Sequence, residues 1–235
     1  MTASANLFDL LVNYLPNDHS KQVTSDYFVR EFLSTNKGTK VLDLGCGSGR
    51  GADLILRLDP KVEWHGVDIE DSPEVAQRQR TDLRFHVFDG VHLPFDDSSF
   101  DLVYSHQVFE HVRYPEQLLR EVTRILRPGG EFLGSVSYLE PYHSFSIWNY
   151  TPYGWVTLLT AAGMSPVQLR PGIDGVALIR RSYLGRPPES HGWFERSPMN
   201  AEIDEWGAST GRRHALINLR KLHYCGHICF RAKRP

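Results

Sequence analysis

Several features that would narrow a protein's role at once are scarce or missing here. Only three cysteines, Cys46, Cys225 and Cys229, occur among 235 residues, too few for a disulfide scaffold and in keeping with reduced thiols in a cytoplasmic protein. No uninterrupted apolar run reaches the ~18–20 residues of a membrane-spanning helix. The opening MTASANLFDL lacks a basic region followed by a long apolar core, so no secretory leader is expected. A formal net charge of −2 gives no overall pull toward nucleic acid or an anionic membrane. What is plentiful is apolar material: at 41% hydrophobic residues, the chain can bury one large core, as a single α/β domain spanning 1–235 would.

The stretch 40–52, KVLDLGCGSGRGA, organises the rest. Val41, Leu42 and Leu44 lead into glycines at 45, 47, 49 and 51, and an apolar-periodic segment with Ala52, Leu54, Ile55 and Leu58 follows. That order predicts strand, tight turn, helix, with glycines where the backbone takes positive φ or approaches a ligand closely. The free N–H groups at the start of the helix favour an electron-rich ligand beside the turn. A phosphate loop would need a lysine followed by Ser or Thr, where this chain has Ser48-Gly49-Arg50. The spacing Gly45-Cys46-Gly47-Ser48-Gly49 also departs from the G-x-G-x-x-G of dinucleotide sites. Asp43 would repel a pyrophosphate but could accept hydrogen bonds from an ammonium group.

Asp43-Leu44-Gly45-Cys46-Gly47-Ser48-Gly49 resembles motif I of the class I S-adenosylmethionine (SAM)-dependent methyltransferases. Residues 41–163 as a whole resemble the branch that includes the ubiquinone-biosynthesis C-methyltransferases and many small-molecule methyltransferases. The resemblance implies SAM as cofactor and an α/β, Rossmann-like sheet of seven strands with helices on both faces. Its strand order would be 3-2-1-4-5-7-6, the final strand antiparallel. In this arrangement 1–39 form an N-terminal helical cap, 40–170 the core, 171–212 an insertion and 213–235 a terminal helix, strand and basic tail.

Further candidates fall at successive strand ends. Asp68 closes a strand expected at 62–67, about 20 residues beyond the glycine turn, where a carboxylate can bind both ribose hydroxyls. A third strand, 83–88, ends at Asp89-Gly90; by resemblance Asp89 accepts from the adenine amino group while Ile69 covers a face of the base. Gly45, Cys46, Gly47, Gly90 and Ser105 complete the expected cofactor set. After a fourth strand at 102–105 comes His106-Gln107-Val108-Phe109-Glu110-His111, at the same sheet edge as the glycine turn. Glu110 with His106 and His111 lacks the H-E-x-x-H pattern, and methyl transfer from a sulfonium requires no metal, so no metal site is expected.

A helix is expected at 116–126, ended by Pro128-Gly129-Gly130, then a fifth strand at 131–136. The segment from Tyr138 to Tyr153 is dense in aromatics and polar groups, the composition of an acceptor lid, with Tyr142, Trp148, Asn149 and Tyr150 as substrate contacts. His143 is the preferred acceptor-side base, because an imidazole near its ordinary pKa can take a proton from an O–H or N–H; His106 and His111 are its rivals. A sixth strand is expected at 164–169 and the last at 224–230, in preference to 176–179. Cys225, His227 and Cys229 on one face of that strand are read as packing rather than metal ligands. The resulting expectation is methyl transfer to a small molecule, a hydroxyl of a carbohydrate or secondary metabolite ahead of nitrogen or carbon. Neither a nucleic-acid nor a membrane partner is expected. The alternative is a noncatalytic SAM-binding or partner-activating protein.

Overall fold

The structure, a computed structural model, describes residues 7–235; positions 1–6 of the expected N-terminal cap lie outside the described residues. Seven strands form one sheet: β1 Lys40–Leu44, β2 Glu63–Ile69, β3 Arg84–Phe88, β4 Phe100–His106, β5 Leu126–Ser137, β6 Ser165–Pro171 and β7 His227–Lys233. Their order is β3-β2-β1-β4-β5-β7-β6. β1 to β5 run parallel, whereas β7 is antiparallel to both β5 and β6. This is the class I methyltransferase α/β fold.

Alternation along β1 shows why helices cover both faces. Beyond a short first helix, α1 (Leu7–Leu11), come α2 (Asp26–Thr35) and α3 (Arg50–Leu58), whose Phe28, Val29 and Ile55 pack with Val41. Leu42 and Leu44 face the opposite cluster, with Leu118 and Val122 of α5 (Pro115–Ile125) and Trp155 of α6 (Pro152–Ala161). Successive side chains on a strand point to opposite faces, so a strand apolar at consecutive positions must be buried on both. Between β2 and β3 there is one short helix, α4 (Pro73–Ala76), whose start is capped by Ser72 accepting from the Val75 N–H.

Two expected boundaries move. Pro128-Gly129-Gly130 does not precede the fifth strand but lies inside it: Leu126 pairs with Phe100 and Glu131 with Leu102, and the extra residues form a bulge in which Gly129 has φ +80°. The last strand begins at His227, three residues later than expected, because Tyr224 closes helix α9 (His214–Tyr224), which buries Ile217, Leu219 and Leu222. Residues 176–179, the rejected strand, are helical in α7 (Gly175–Tyr183), where Asp174 caps the start by accepting from the Ala177 N–H at 2.7 Å.

The segment 171–212 folds as α7, a 3₁₀ turn (Pro188–Phe194) and α8 (Pro198–Ser209). It is strapped to the N-terminal segment by Gln22. The Gln22 amide donates to the carbonyls of Trp193 and Phe194 at 2.9 and 3.0 Å and accepts from the Ser197 N–H and the Asn200 amide at 2.8 Å each. Val23 N–H donates to the Pro171 carbonyl at 3.0 Å. These bonds hold residues 22–25 across the carboxyl ends of the central strands.

Candidate functional site

At the end of β1 the backbone turns sharply, and Gly45, Gly47 and Gly49 all have positive φ, 71°, 50° and 88°. A Cβ on Gly45 would lie 2.3 Å from Val108 Cγ2, so the turn demands glycine on both conformational and steric grounds. Asp68, at the end of β2, braces the turn. Its carboxylate accepts from the Gly47 N–H at 2.7 Å and from its neighbour Ile69 N–H at 2.8 Å. Burial raises the Asp68 pKa, with these two N–H groups opposing the rise. Arg78 grips the turn from outside, donating through Nε and Nη2 to the Gly47 carbonyl at 3.1 and 2.8 Å while stacking on Phe85.

Asp43, two residues before Gly45 on β1, lies at the base of the turn. It is buried, and a Cβ on Gly51 would come within 2.3 Å of its Oδ2. That oxygen has no hydrogen-bond partner. Burial pushes the Asp43 pKa up to about 7, and the nearby Trp64 indole, too poorly placed for a regular hydrogen bond, offsets this only in part. Cys46, expected in the cofactor set, turns its side chain into the core against Gly66; only its backbone belongs to the turn. Desolvation raises its pKa, so it is an inert thiol.

Ile69, beyond Asp68, exposes 42% of its surface, an apolar face where a base could rest. Asp89 is exposed and already engaged. Its Oδ1 accepts from the N–H groups of Val91 and His92 at 2.8 and 2.6 Å, and its Oδ2 pairs with His92 Nδ1 at 2.7 Å. The His92 bond holds the Asp89 carboxyl well below the usual range. Gly90 has φ +88° and leaves room beside Ile69. Ser105, paired with Leu44 across β1 and β4, has a buried hydroxyl without a partner.

These features fit SAM on structural grounds. A glycine turn that excludes a Cβ, a carboxylate at the end of the next strand, an exposed aliphatic face beyond it and two orphaned buried oxygens surround one sheet edge.

The three candidate histidines are not brought together. His106, the last residue of β4, is solvent-accessible, yet protein crowds most of the ring. Its Nδ1 lies 2.9 Å from Ser25 Oγ and 3.0 Å from Ser135 Oγ. Desolvation, assisted by His227, lowers its pKa to about 4. It lines a cavity of about 320 Å³ together with Val23, Ser25, Ile173, Phe194 and His227. His227 Nε2 lies 3.1 Å from Glu140 Oε2. Burial is the largest single influence on Glu140 and opposes its charge, but His227, the Ser137 hydroxyl and His143 together outweigh it and hold the carboxyl below its ordinary value. Most of this lining is not legible in the sequence: Val23, Ser25, Ile173, Phe194 and His227 come from segments without a local signature, and the alternation of Cys225, His227 and Cys229 points only to strand packing.

His143 and His111 face each other instead, their rings edge-on with centroids 5.4 Å apart. The loop carrying His143 is fastened to the 3₁₀ turn Phe109–His111 by the N–H groups of Ile147 and Trp148, which donate to the Glu110 carbonyl at 2.6 and 3.1 Å. Glu110 is fully buried, which pushes its pKa up to about 8. With its amide oriented to satisfy both ends, Gln107 donates to Glu110 Oε1 at 2.8 Å and to Ser137 Oγ at 2.7 Å. Gln107 has φ +54°, a left-handed conformation that this network sustains.

The expected acceptor wall does not line the cavity beside His106. Tyr142 is 79% exposed. Tyr150 is buried and its hydroxyl donates to the Phe109 carbonyl at 2.8 Å; Trp148 Nε1 donates to the Val112 carbonyl at 2.9 Å; Asn149 Nδ2 donates to the Glu140 carbonyl at 3.2 Å. Their polar ends are spent on backbone carbonyls, which makes them anchors of the loop. Trp148 and Tyr150 border a separate cavity of about 340 Å³ between the start of α5 and α6. Cys225 and Cys229 fall in different core clusters, and all three cysteines are free and buried.

Residues 42–134 match the methyltransferase domain family. The chain is 40% identical over 101 residues to a probable S-adenosylmethionine-dependent methyltransferase of Mycolicibacterium smegmatis, covering 42% of this chain and 38% of that protein. It is 32% identical over 114 residues to the phthiotriol/phenolphthiotriol dimycocerosates methyltransferase of Mycobacterium tuberculosis, covering 47% of this chain and 42% of that one. The matches thus span about two fifths of the length of these relatives. The fold resembles that of the [4+2]-cyclase SpnF, with a TM-score of 0.59 at 19% identity over 97% of this chain and 94% of that one.

Sheet order and glycine turn agree with the class I SAM-dependent methyltransferase fold, and the methyltransferase domain match covers residues 42–134 of this chain. Within that class these relatives do not single out the ubiquinone branch. No helix among the described residues is long and apolar enough to cross a membrane.

Proposed function

We propose that the chain catalyses SAM-dependent methylation of a hydroxyl on a small, partly apolar molecule held in the 320 Å³ cavity beside His106. The observation that carries this reading is the lining of that cavity. Val23, Ile173 and Phe194 supply apolar contact, and His106, His227 and two serine hydroxyls supply polar contact, at the carboxyl ends of β4 and β5 beside the glycine turn. The M. tuberculosis relative is named for a triol, which supports an oxygen acceptor.

Gly45, Gly47, Asp68 and Ile69 would hold the cofactor, with Asp43 and Ser105 as the oxygens still free to accept or donate. Bound SAM supplies an electrophilic methyl on a sulfonium, so the chain's main task is alignment. In this reading His227 takes the acceptor proton: Glu140 bonds one ring nitrogen and fixes its orientation, leaving the other free toward the cavity. His106 stays neutral near pH 7 and positions the acceptor oxygen. His143, the residue preferred from sequence, lies on the far side of Glu140, with its Nδ1 3.8 Å from Glu140 Oε1.

A screen of hydroxylated acceptors with labelled SAM, followed by mass-spectrometric location of the added methyl, tests the reading. His227→Ala should bind S-adenosylhomocysteine (SAH) as the native protein does and lose ~10²–10⁴-fold in single-turnover rate. Methylated product at an unchanged rate would remove His227 from the reaction. The other reading is a SAM-binding protein without methyl transfer; SAH binding with no product across the screen would support it.

A further inference from the structure

Glu110, His111 and His143 have no task in the reaction proposed above, yet they form the one group among the described residues able to hold a metal ion. A carboxylate oxygen and one nitrogen from each imidazole lie within 4.8 Å of one another. We propose that these three residues bind a divalent cation of the zinc, cobalt or iron(II) type.

Three observations beyond proximity support the site. Glu110 is 0% exposed, and while its Oε1 is engaged by Ser137 and Gln107, its Oε2 has no partner. A buried carboxylate oxygen without a donor is costly, and coordination to a cation relieves that cost. His143 Nδ1 lies 3.2 Å from the Pro141 carbonyl, with Glu140 Oε1 behind it at 3.8 Å. An Nδ1–H donated to that carbonyl leaves the Nε2 lone pair as the ligand, which is the usual way outer residues fix a metal-binding histidine. The loop is also held in place: the Ile147 and Trp148 N–H groups donate to the Glu110 carbonyl, and the Trp148 indole donates to Val112. These bonds keep His143 against the Glu110-His111 turn.

Two imidazoles and one carboxylate suit borderline cations rather than calcium or magnesium, which prefer all-oxygen shells. With metal–ligand bonds of about 2.0–2.2 Å, neighbouring donors stand roughly 3.3 Å apart. Binding therefore draws the donors inward by at most about 1.5 Å. The exposed stretch around Ser144, which has φ +46°, is where the chain can yield. Three protein ligands leave a fourth position for water or an oxygen of a bound molecule. The ion would then clasp the loop after β5 to the turn after β4. This proposal does not depend on the methyl-transfer reading.

The test is titration of tag-free, chelator-stripped protein with Zn²⁺ and Co²⁺, followed by calorimetry and by the visible absorption of Co²⁺. One saturable site per chain is expected, with a raised thermal midpoint. His143→Ala, in an exposed loop, and the isosteric Glu110→Gln should each weaken Zn²⁺ binding at least 30-fold. Their circular dichroism should match that of the native protein, and His191→Ala at a remote surface site should bind normally. If Glu110→Gln does not fold, His143→Ala decides alone. Absence of a one-to-one site in the native protein overturns the proposal. So does undiminished binding by His143→Ala, or binding that is lost instead in His227→Ala.

Discussion

Asp68→Ala separates the two tasks of one carboxylate. In the folded protein Asp68 accepts from the buried Gly47 N–H and from the N–H of exposed Ile69. Truncation lets water reach Ile69 but leaves Gly47 with a desolvated donor, a cost of about 1–3 kcal/mol to folding. Binding loses something further, the paired acceptor for two vicinal hydroxyls. That loss is again about 1–3 kcal/mol, or roughly 5–150-fold in Kd. The folding cost is present in both free and bound protein and cancels from the affinity, so the two terms can be read separately. Urea denaturation gives the first and isothermal titration of the folded variant with SAH the second. The expected outcome is a still-folded variant whose SAH affinity falls by roughly 5–150-fold. A folded Asp68→Ala with native affinity would refute the assignment: the carboxylate would then only brace the glycine turn.

Three further outcomes follow from the same geometry. The Asp43 carboxyl titrates near 7 in the folded chain against an ordinary 3.8. Its contribution to stability is therefore fully present below about pH 4 and is lost as pH rises through about 7, by at most about 4 kcal/mol. Asp43→Asn should gain stability relative to the native chain over that window, measured as the difference in urea midpoints at pH 4.5 and 7.5; parallel pH profiles would contradict the burial argument. Gly134→Ala would place a Cβ 1.9 Å from the Ser105 carbonyl oxygen, forcing β5 from β4 at a cost of roughly 3 kcal/mol or more, visible as a large fall in thermal midpoint. His106, with a pKa near 4, should show no titration between pH 5.5 and 8 by NMR of its ring protons, whereas a midpoint near 6.5 would mean that the crowding around it is looser than described.

How far the sequence could be read depended on whether the decisive contacts are local. The glycine turn was legible because positive φ and a missing Cβ are properties of residues 45–49 themselves. The strand order followed from resemblance, and the alternation of Val41 with Leu42 and Leu44 already demanded cover on both faces. The last strand was misplaced by three residues because Tyr224 and Cys225 fit an alternating pattern as well as the end of an apolar helix. Aromatic density around Trp148 and Tyr150 suggested ligand contact, but nothing local reveals that their polar ends meet the carbonyls of Val112 and Phe109. The cavity beside His106 was the least legible feature. Val23, Ile173 and His227 become neighbours through long-range bonds such as Gln22 to Ser197, and no periodicity encodes a pairing across 175 residues.

That pairing also bears on the order in which the molecule can be completed during synthesis. The glycine turn, Asp68 and the first four strands use only the first half of the chain, and parallel pairs β1–β2 and β1–β4 can form before the rest emerges. The cavity beside His106 cannot exist at that stage. One of its walls is the segment around Val23, held by partners at Pro171, Trp193 and Ser197, and another is β7, which enters between β5 and β6 only after residue 227 has been made. Contacts so distant in sequence close slowly. A nascent chain should therefore acquire the half with the glycine turn and Asp68 first and hold an exposed β5 edge until the final strand arrives, an interval in which edge-to-edge misassembly is the main hazard.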